Sequence, residues 1–145
     1  MTPPELREAY LRWVRRAAPA LLLPLALTAA VQAASTSEWW TAGPVPDTSG
    51  RFLFVAVAAA ALVAGHSART REAARRPVPL ASLVSLSWTL LTCALMPVAI
   101  GAVLAFVTRQ VWDFYLLLAI TLGGFVYLFP RYVQWAEWSG TGDGS

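Results

Sequence analysis

The stretch from Leu80 to Thr108, LASLVSLSWTLLTCALMPVAIGAVLAFVT, contains no Asp, Glu, Lys, Arg or His. As an α-helix it would reach about 43 Å, longer than a bilayer's hydrocarbon core of about 30 Å. Such a helix must tilt, bend at Pro97, or begin with an interfacial segment around Leu80 to Ser85. The stretch lacks the two-residue alternation of a half-buried strand, and lipid accepts strands only in closed barrels. Its surroundings repeat the pattern. Ala17–Ala34, Phe52–Ala68 and Phe114–Pro130 are further apolar runs, joined by a turn-rich segment at 35–50, a basic segment at 69–76 closed by Pro77 and Pro79, and a short link at 109–113.

Composition agrees with an apolar solvent. The chain of 145 residues is 57% hydrophobic and 13% charged, with a mean hydropathy of +0.55; soluble domains carry about 25% charged residues. A water-soluble fold of this composition would expose large apolar patches. The sequence therefore predicts an all-α integral membrane four-helix bundle built from two consecutive helical hairpins. A single transmembrane domain covers residues 1–138, with spans at 17–34, 52–68, 80–108 and 114–130, and a disordered tail covers 139–145.

Arginine sets the expected orientation. Arg7, Arg12, Arg15, Arg16, Arg69, Arg71, Arg75, Arg76 and Arg131 would share one side of the membrane, leaving Arg51 and Arg109 on the other. The positive-inside bias then assigns both termini to the cytoplasm (N-in/C-in) of a multi-pass protein in the inner (plasma) membrane. Trp39, Trp40, Trp112 and Tyr115 would form the outer aromatic belt, and Tyr10, Trp13, Tyr132, Trp135 and Trp138 the inner one. A competing reading takes Leu21–Ala30 followed by Val31-Gln32-Ala33 as a cleaved signal peptide. A preceding region of 16 residues that includes Glu5 and Glu8 argues against cleavage.

From Ala17 to Ala34, Phe52 to Gly65, Leu80 to Thr108 and Phe114 to Phe129 there is no Asp, Glu, Lys, Arg or His, which argues against proton-coupled transport by one protomer. One His and one Cys fall short of a metal centre, so neither catalytic nor cofactor-binding residues are expected, and no cofactor. His66, near the end of the second span, could titrate or meet a lipid headgroup, but reads more simply as an interfacial His at a helix end. Cys93 reads as a small hydrophobe. Arginines at the ends of apolar runs, rather than across one soluble face, exclude nucleic acid as a partner.

Ser82, Ser85, Thr89 and Thr92 recur at helical spacing and form a polar face on the third span. That face either lines a narrow pathway or lets helices approach and hydrogen-bond. Small residues recur every four positions at Ala26/Ala30/Ala34, Ala56/Ala60/Ala64, Gly101/Ala105 and Ala119/Gly123, the spacing on which membrane helices pack. Pro19, Pro24 and Pro97 predict bends. Arg69, Arg71, Arg75 and Arg76, together with His66, are candidate contacts for anionic lipid headgroups or for a partner's acidic surface.

With Gly101-Ala-Val-Leu-Ala-Phe106 late in the third span and Phe129-Pro-Arg131 closing the fourth, residues 80 to 135 resemble a group of bacterial four-span membrane proteins of unassigned role. These in turn are similar to the hairpin proteolipid (c) subunits of ATP synthases. The resemblance implies paired helical hairpins. The proteolipid carboxylate that carries the proton has no counterpart in Cys93–Pro97, so the ion-carrying role is not implied. The expectation is a small non-enzymatic membrane protein, an accessory or oligomer-forming subunit acting through helix packing and contacts with itself or another membrane protein. The alternative is a small permeation or export protein for a weakly polar solute, using the third-span hydroxyl face. Lipid chemistry by His66 and Ser67 is the weakest reading.

Overall fold

A computed structural model of the chain describes residues 2–38, 40 and 48–140, with the backbone alone at 48 and 49. Trp39, the turn residues 41–47 and the tail beyond 140 lie outside the described residues. Six helical segments account for nearly all of the rest: α1 (Pro3–Leu21), α2 (Leu23–Ser35), α3 (Thr48–Ala73), α4 (Leu80–Thr108), α5 (Val111–Leu128) and α6 (Tyr132–Ser139). No strand occurs among the described residues. Four helices are long and apolar enough to cross a membrane, with α1 and α2 acting as one unit from Pro3 to Ser35.

Helix α1 begins fourteen residues before the expected apolar run. Pro3 occupies the first helical turn, and the Thr2 N–H donates to Glu5 Oε2 at 2.9 Å, satisfying one of the otherwise unpaired amides of a helix start. Leu6, Ala9, Trp13 and Ala17 step by three, four and four residues and form its buried stripe. Arg7, Arg12, Arg15 and Arg16 are exposed, with Arg12 and Arg16 flanking this stripe. The helix breaks at Leu22, between Pro19 and Pro24, where the proline rings remove backbone donors.

The centre of the molecule is α4. More than half of its apolar window is buried, against at most 28% in each other span, and it touches all five other helices. It remains one helix across Pro97. Its length exceeds that of α5 by 11 residues, about 16 Å of helix. The overhang, Leu83 to Leu90, is covered by α1 and α6. Packing uses the length that the sequence left to tilt, bend or interface.

The small-residue stripes divide in an unexpected way. Gly101 and Ala105 are buried in the α4–α5 crossing. A Cβ at Gly101 would lie 2.8 Å from Leu117 Cβ, so only hydrogen lets the two backbones come so near. By contrast Ala56, Ala60 and Ala64 on α3, Ala119 and Gly123 on α5, and Ala26 and Ala30 on α2 face outward. Helix α3 instead buries Ala58 and Gly65, seven residues apart, the repeat of a narrow seam.

The largest difference from the sequence reading is at the C-terminus. Trp135 and Trp138, expected to anchor at the bilayer surface, are fully buried on α6. Trp135 Nε1 donates to the equally buried Ser87 Oγ at 2.9 Å. Tyr10, Trp13, Tyr132, Trp135 and Phe129 form a connected aromatic cluster joining α1, α6 and the end of α5. The Val78 N–H donates to Trp138 O at 2.7 Å, and Arg76 lies 3.9 Å from Glu137. Thus α1, the α3–α4 link and α6 meet at one end of the bundle. At the other end, Arg51 on α3 bonds Gln110 and lies 3.5 Å from Asp113, whose carboxylate also accepts from Thr108 Oγ1 at 3.2 Å.

Candidate functional site

The polar groups singled out by sequence converge only in part, and they do so on the outside of the bundle. A groove of about 350 Å³ runs between the end of α3 and the start of α4. Ala68, Arg71, Glu72 and Arg75 line one wall; Ser82, Ser85, Leu86 and Thr89 line the other. The local reason is helical spacing. Residues 68, 71 and 72 share a face of α3, Arg75 follows in the turn just beyond it, and 82, 85, 86 and 89 share a face of α4; the antiparallel packing of the helices apposes the two.

Arg75 lies 3.7 Å from Glu72, one turn earlier, in an exposed pair worth little. Arg71 has no ion pair or hydrogen bond among the described residues and stays available at the groove's mouth. Thr89 Oγ1 donates back to the Ser85 carbonyl at 3.1 Å, the usual way a hydroxyl is satisfied on an apolar helix. Ser82 is half-buried, whereas Ser85, Thr89 and Thr92 are exposed. Thr92 continues the stripe one turn beyond the groove. The opposite side of α4 is filled by Leu83, Leu90, Leu91, Ala94 and Val98, so the hydroxyl face borders an external groove and not an enclosed path through one chain.

The remaining candidates are divided between two other positions. His66 Nδ1 sits 2.8 Å from the Tyr127 hydroxyl, while Arg69 donates to the Tyr127 carbonyl at 2.7 Å and stacks over its ring at 5.2 Å. Both residues thereby tie α3 to α5. Arg76 faces Glu137 on α6. Cys93 is half-buried at the α3–α4 crossing, close against Gly65. Among the described residues no group of three or more His, Cys, Asp or Glu comes together as a metal site would require.

Sequence reasoning passed over Ser87 and placed Trp13 and Trp135 only in an interfacial aromatic belt. Ser87 lies just off the chosen hydroxyl stripe, and only the docking of α6 makes it a buried acceptor. The stripe Leu6-Ala9-Trp13-Ala17 was legible as the apolar face of an amphipathic helix and would have flagged Trp13 as buried. No known family, curated protein or solved structure matches this chain. The architecture defines a multi-pass helical membrane protein, and the functional reading rests on its own residues.

Proposed function

We propose that this is a non-enzymatic membrane bundle that works on its outer surface, seating a transmembrane helix of a partner or of a second copy in the α3–α4 groove. The observation that carries this reading is the outward exposure of Ser85, Thr89 and Thr92 on a helix whose opposite side is closely packed. Exposed hydroxyls beside small residues permit close helix approach and interhelical hydrogen bonds. On α3 the groove wall continues through Ala68, Ala64 and Ala61, which keep the same spacing. Arg71 and Arg75 at the mouth suit an acidic residue at the end of the incoming helix. Both termini lie in the cytoplasm under this proposal, because nine of the eleven arginines belong to the end that carries α1, the α3–α4 link and α6.

The test is proximity in the native membrane. With Cys93 replaced by Ala, a cysteine introduced by Thr92→Cys is expected to crosslink to a second copy or to one defined membrane partner. Ser85→Leu with Thr89→Leu should abolish the product while leaving the monomer folded. A Thr92→Cys protein that yields only monomer, with nothing co-purifying in mild detergent, would remove the proposal. The permeation reading requires two grooves to face each other across a dimer. It is favoured only if the Ser85→Leu and Thr89→Leu pair leaves the dimer intact but stops solute flux into liposomes.

A further inference from the structure

A second cavity lies on the other flank of α4, away from the α3–α4 groove. It measures about 160 Å³ and is lined by Ala9, Arg12, Trp13 and Arg16 of α1 and by Leu80, Val84 and Trp88 of α4. Three independent features of its wall favour an anion.

The first is the Trp13 indole. The side chain is 2% exposed and its Nε1 has no hydrogen-bond acceptor among the described residues. An indole N–H can only donate, and burying it unpaired is destabilising. Trp135, in the same aromatic cluster, has its N–H satisfied by Ser87. The second feature is the pair Arg12 and Arg16. They are four residues apart and therefore neighbours on one helix face, both are exposed, and neither makes an ion pair or hydrogen bond among the described residues. Glu8, one turn before Arg12, is the nearest carboxylate on that helix and forms no ion pair with it within 4.0 Å. The third is the start of α4. Leu80 opens this 29-residue helix with Pro79 as N-cap and no side-chain cap, leaving the first amides and the positive end of the helix dipole beside the cavity.

The lower wall is apolar. Val84 and the exposed Trp88, whose ring stands edge-on to Trp13 at 6.2 Å, lead from the arginines toward the lipid-facing side of α4. A free inorganic anion would have no use for that surface, whereas the glycerol and first methylenes of a lipid would cover it. We infer that the α1–α4 cavity binds the phosphate group of an anionic phospholipid, held by Arg12 and Arg16 over the Trp13 indole, with its acyl chain along Val84 and Trp88. The inference stands independently of the α3–α4 groove.

The experiment uses the full chain purified in a neutral detergent. Phosphatidylglycerol carrying brominated chains, phosphatidylcholine with the same chains, and inorganic phosphate are titrated separately. Binding is read by tryptophan quenching and by lipid retained in native mass spectrometry. The expected result is saturable phosphatidylglycerol binding that falls on the order of tenfold in Arg12→Gln/Arg16→Gln. Arg15→Gln and the groove variant Arg71→Gln/Arg75→Gln should stay within about twofold, well under 1.4 kcal/mol. Trp13→Phe should weaken binding as well; if that variant misfolds, the exposed arginine pair still decides the matter. Binding unchanged in Arg12→Gln/Arg16→Gln would overturn the inference. So would an equal loss in Arg15→Gln, which would mean diffuse charge attraction, or inorganic phosphate binding as tightly as the lipid.

Discussion

Adding one methyl group at Gly101 measures how far the α4–α5 crossing depends on bare backbone contact. A Cβ there would sit 2.8 Å from Leu117 Cβ and 3.4 Å from the Phe114 carbonyl oxygen. Leu117 Cβ is fixed to its backbone, so relief comes only from moving α5 outward by about 0.6 Å, to the edge of ordinary carbon contact. Overpacking of this kind costs about 1–3 kcal/mol. Alanine also favours a helix over glycine by about 1 kcal/mol, which would mask part of the loss. Gly123 supplies the correction, because a Cβ there meets nothing within 4 Å. Gly123→Ala should keep the propensity gain and pay no packing cost. The difference between the two alanine variants is therefore the packing cost alone, about 1–3 kcal/mol, or roughly 5- to 150-fold in the unfolding equilibrium. Reversible unfolding in mixed micelles, followed by tryptophan fluorescence, reads this difference directly. Equal stabilities for the two variants would mean that Gly101 does not set the crossing.

Other outcomes follow from the same geometry. Ser87→Ala should destabilise the protein by about 1–3 kcal/mol, because it strands the buried Trp135 indole N–H; in a Trp135→Phe background the same substitution should cost far less, and a double-mutant cycle of unfolding free energies checks the coupling. Truncation after Pro130 should expose Trp13 and Leu83, now covered in the cluster that includes α6, and raise protease sensitivity within α1; an unchanged cleavage pattern would show that α6 does not hold α1. Tyr127→Phe, which leaves His66 Nδ1 without its partner 2.8 Å away, should loosen the α3–α5 contact by about 1 kcal/mol without changing partner crosslinking in the groove. Arg51→Met should lower stability by about 1 kcal/mol or less, since the pair with Asp113 is partly solvated, and the loss should shrink as salt is raised.

The helical class and the four spans were legible in the sequence because their cause is local. Long runs without charge can satisfy their backbone in lipid only as helices. Leu80–Thr108 is one helix, preceded by Pro79 and closed by Arg109 in a left-handed conformation. That Leu80–Thr108 carries no Asp, Glu, Lys, Arg or His was equally plain. What each face of a helix touches was not. The spacing of Ala56, Ala60 and Ala64 has the form of a packing stripe, yet α3 turns Ala58 and Gly65 inward instead. Periodicity defines faces but cannot choose between two small-residue faces of one helix; that choice depends on the shape of Cys93 and Leu128 opposite.

The C-terminal tryptophans illustrate the same division. In sequence, Trp135 and Trp138 beside Arg131 look like residues of a membrane interface, because an indole is half apolar and half polar wherever it lies. Only the tertiary structure supplies Ser87 as acceptor and Val78 as backbone partner, and so converts the tail into a buried helix. The Ser/Thr stripe of the third span could be grouped from the sequence, since helical spacing is a local property. Its exposure to a groove beside Arg71 and Arg75, rather than to a lumen, was settled by the antiparallel packing of α3 on α4. The sequence alone determined which segments prefer oil and which residues share a face, both consequences of short-range chemistry along one chain. The fold decided which of those faces are consumed in packing and which remain for a partner, because that depends on side chains brought together from distant parts of the chain.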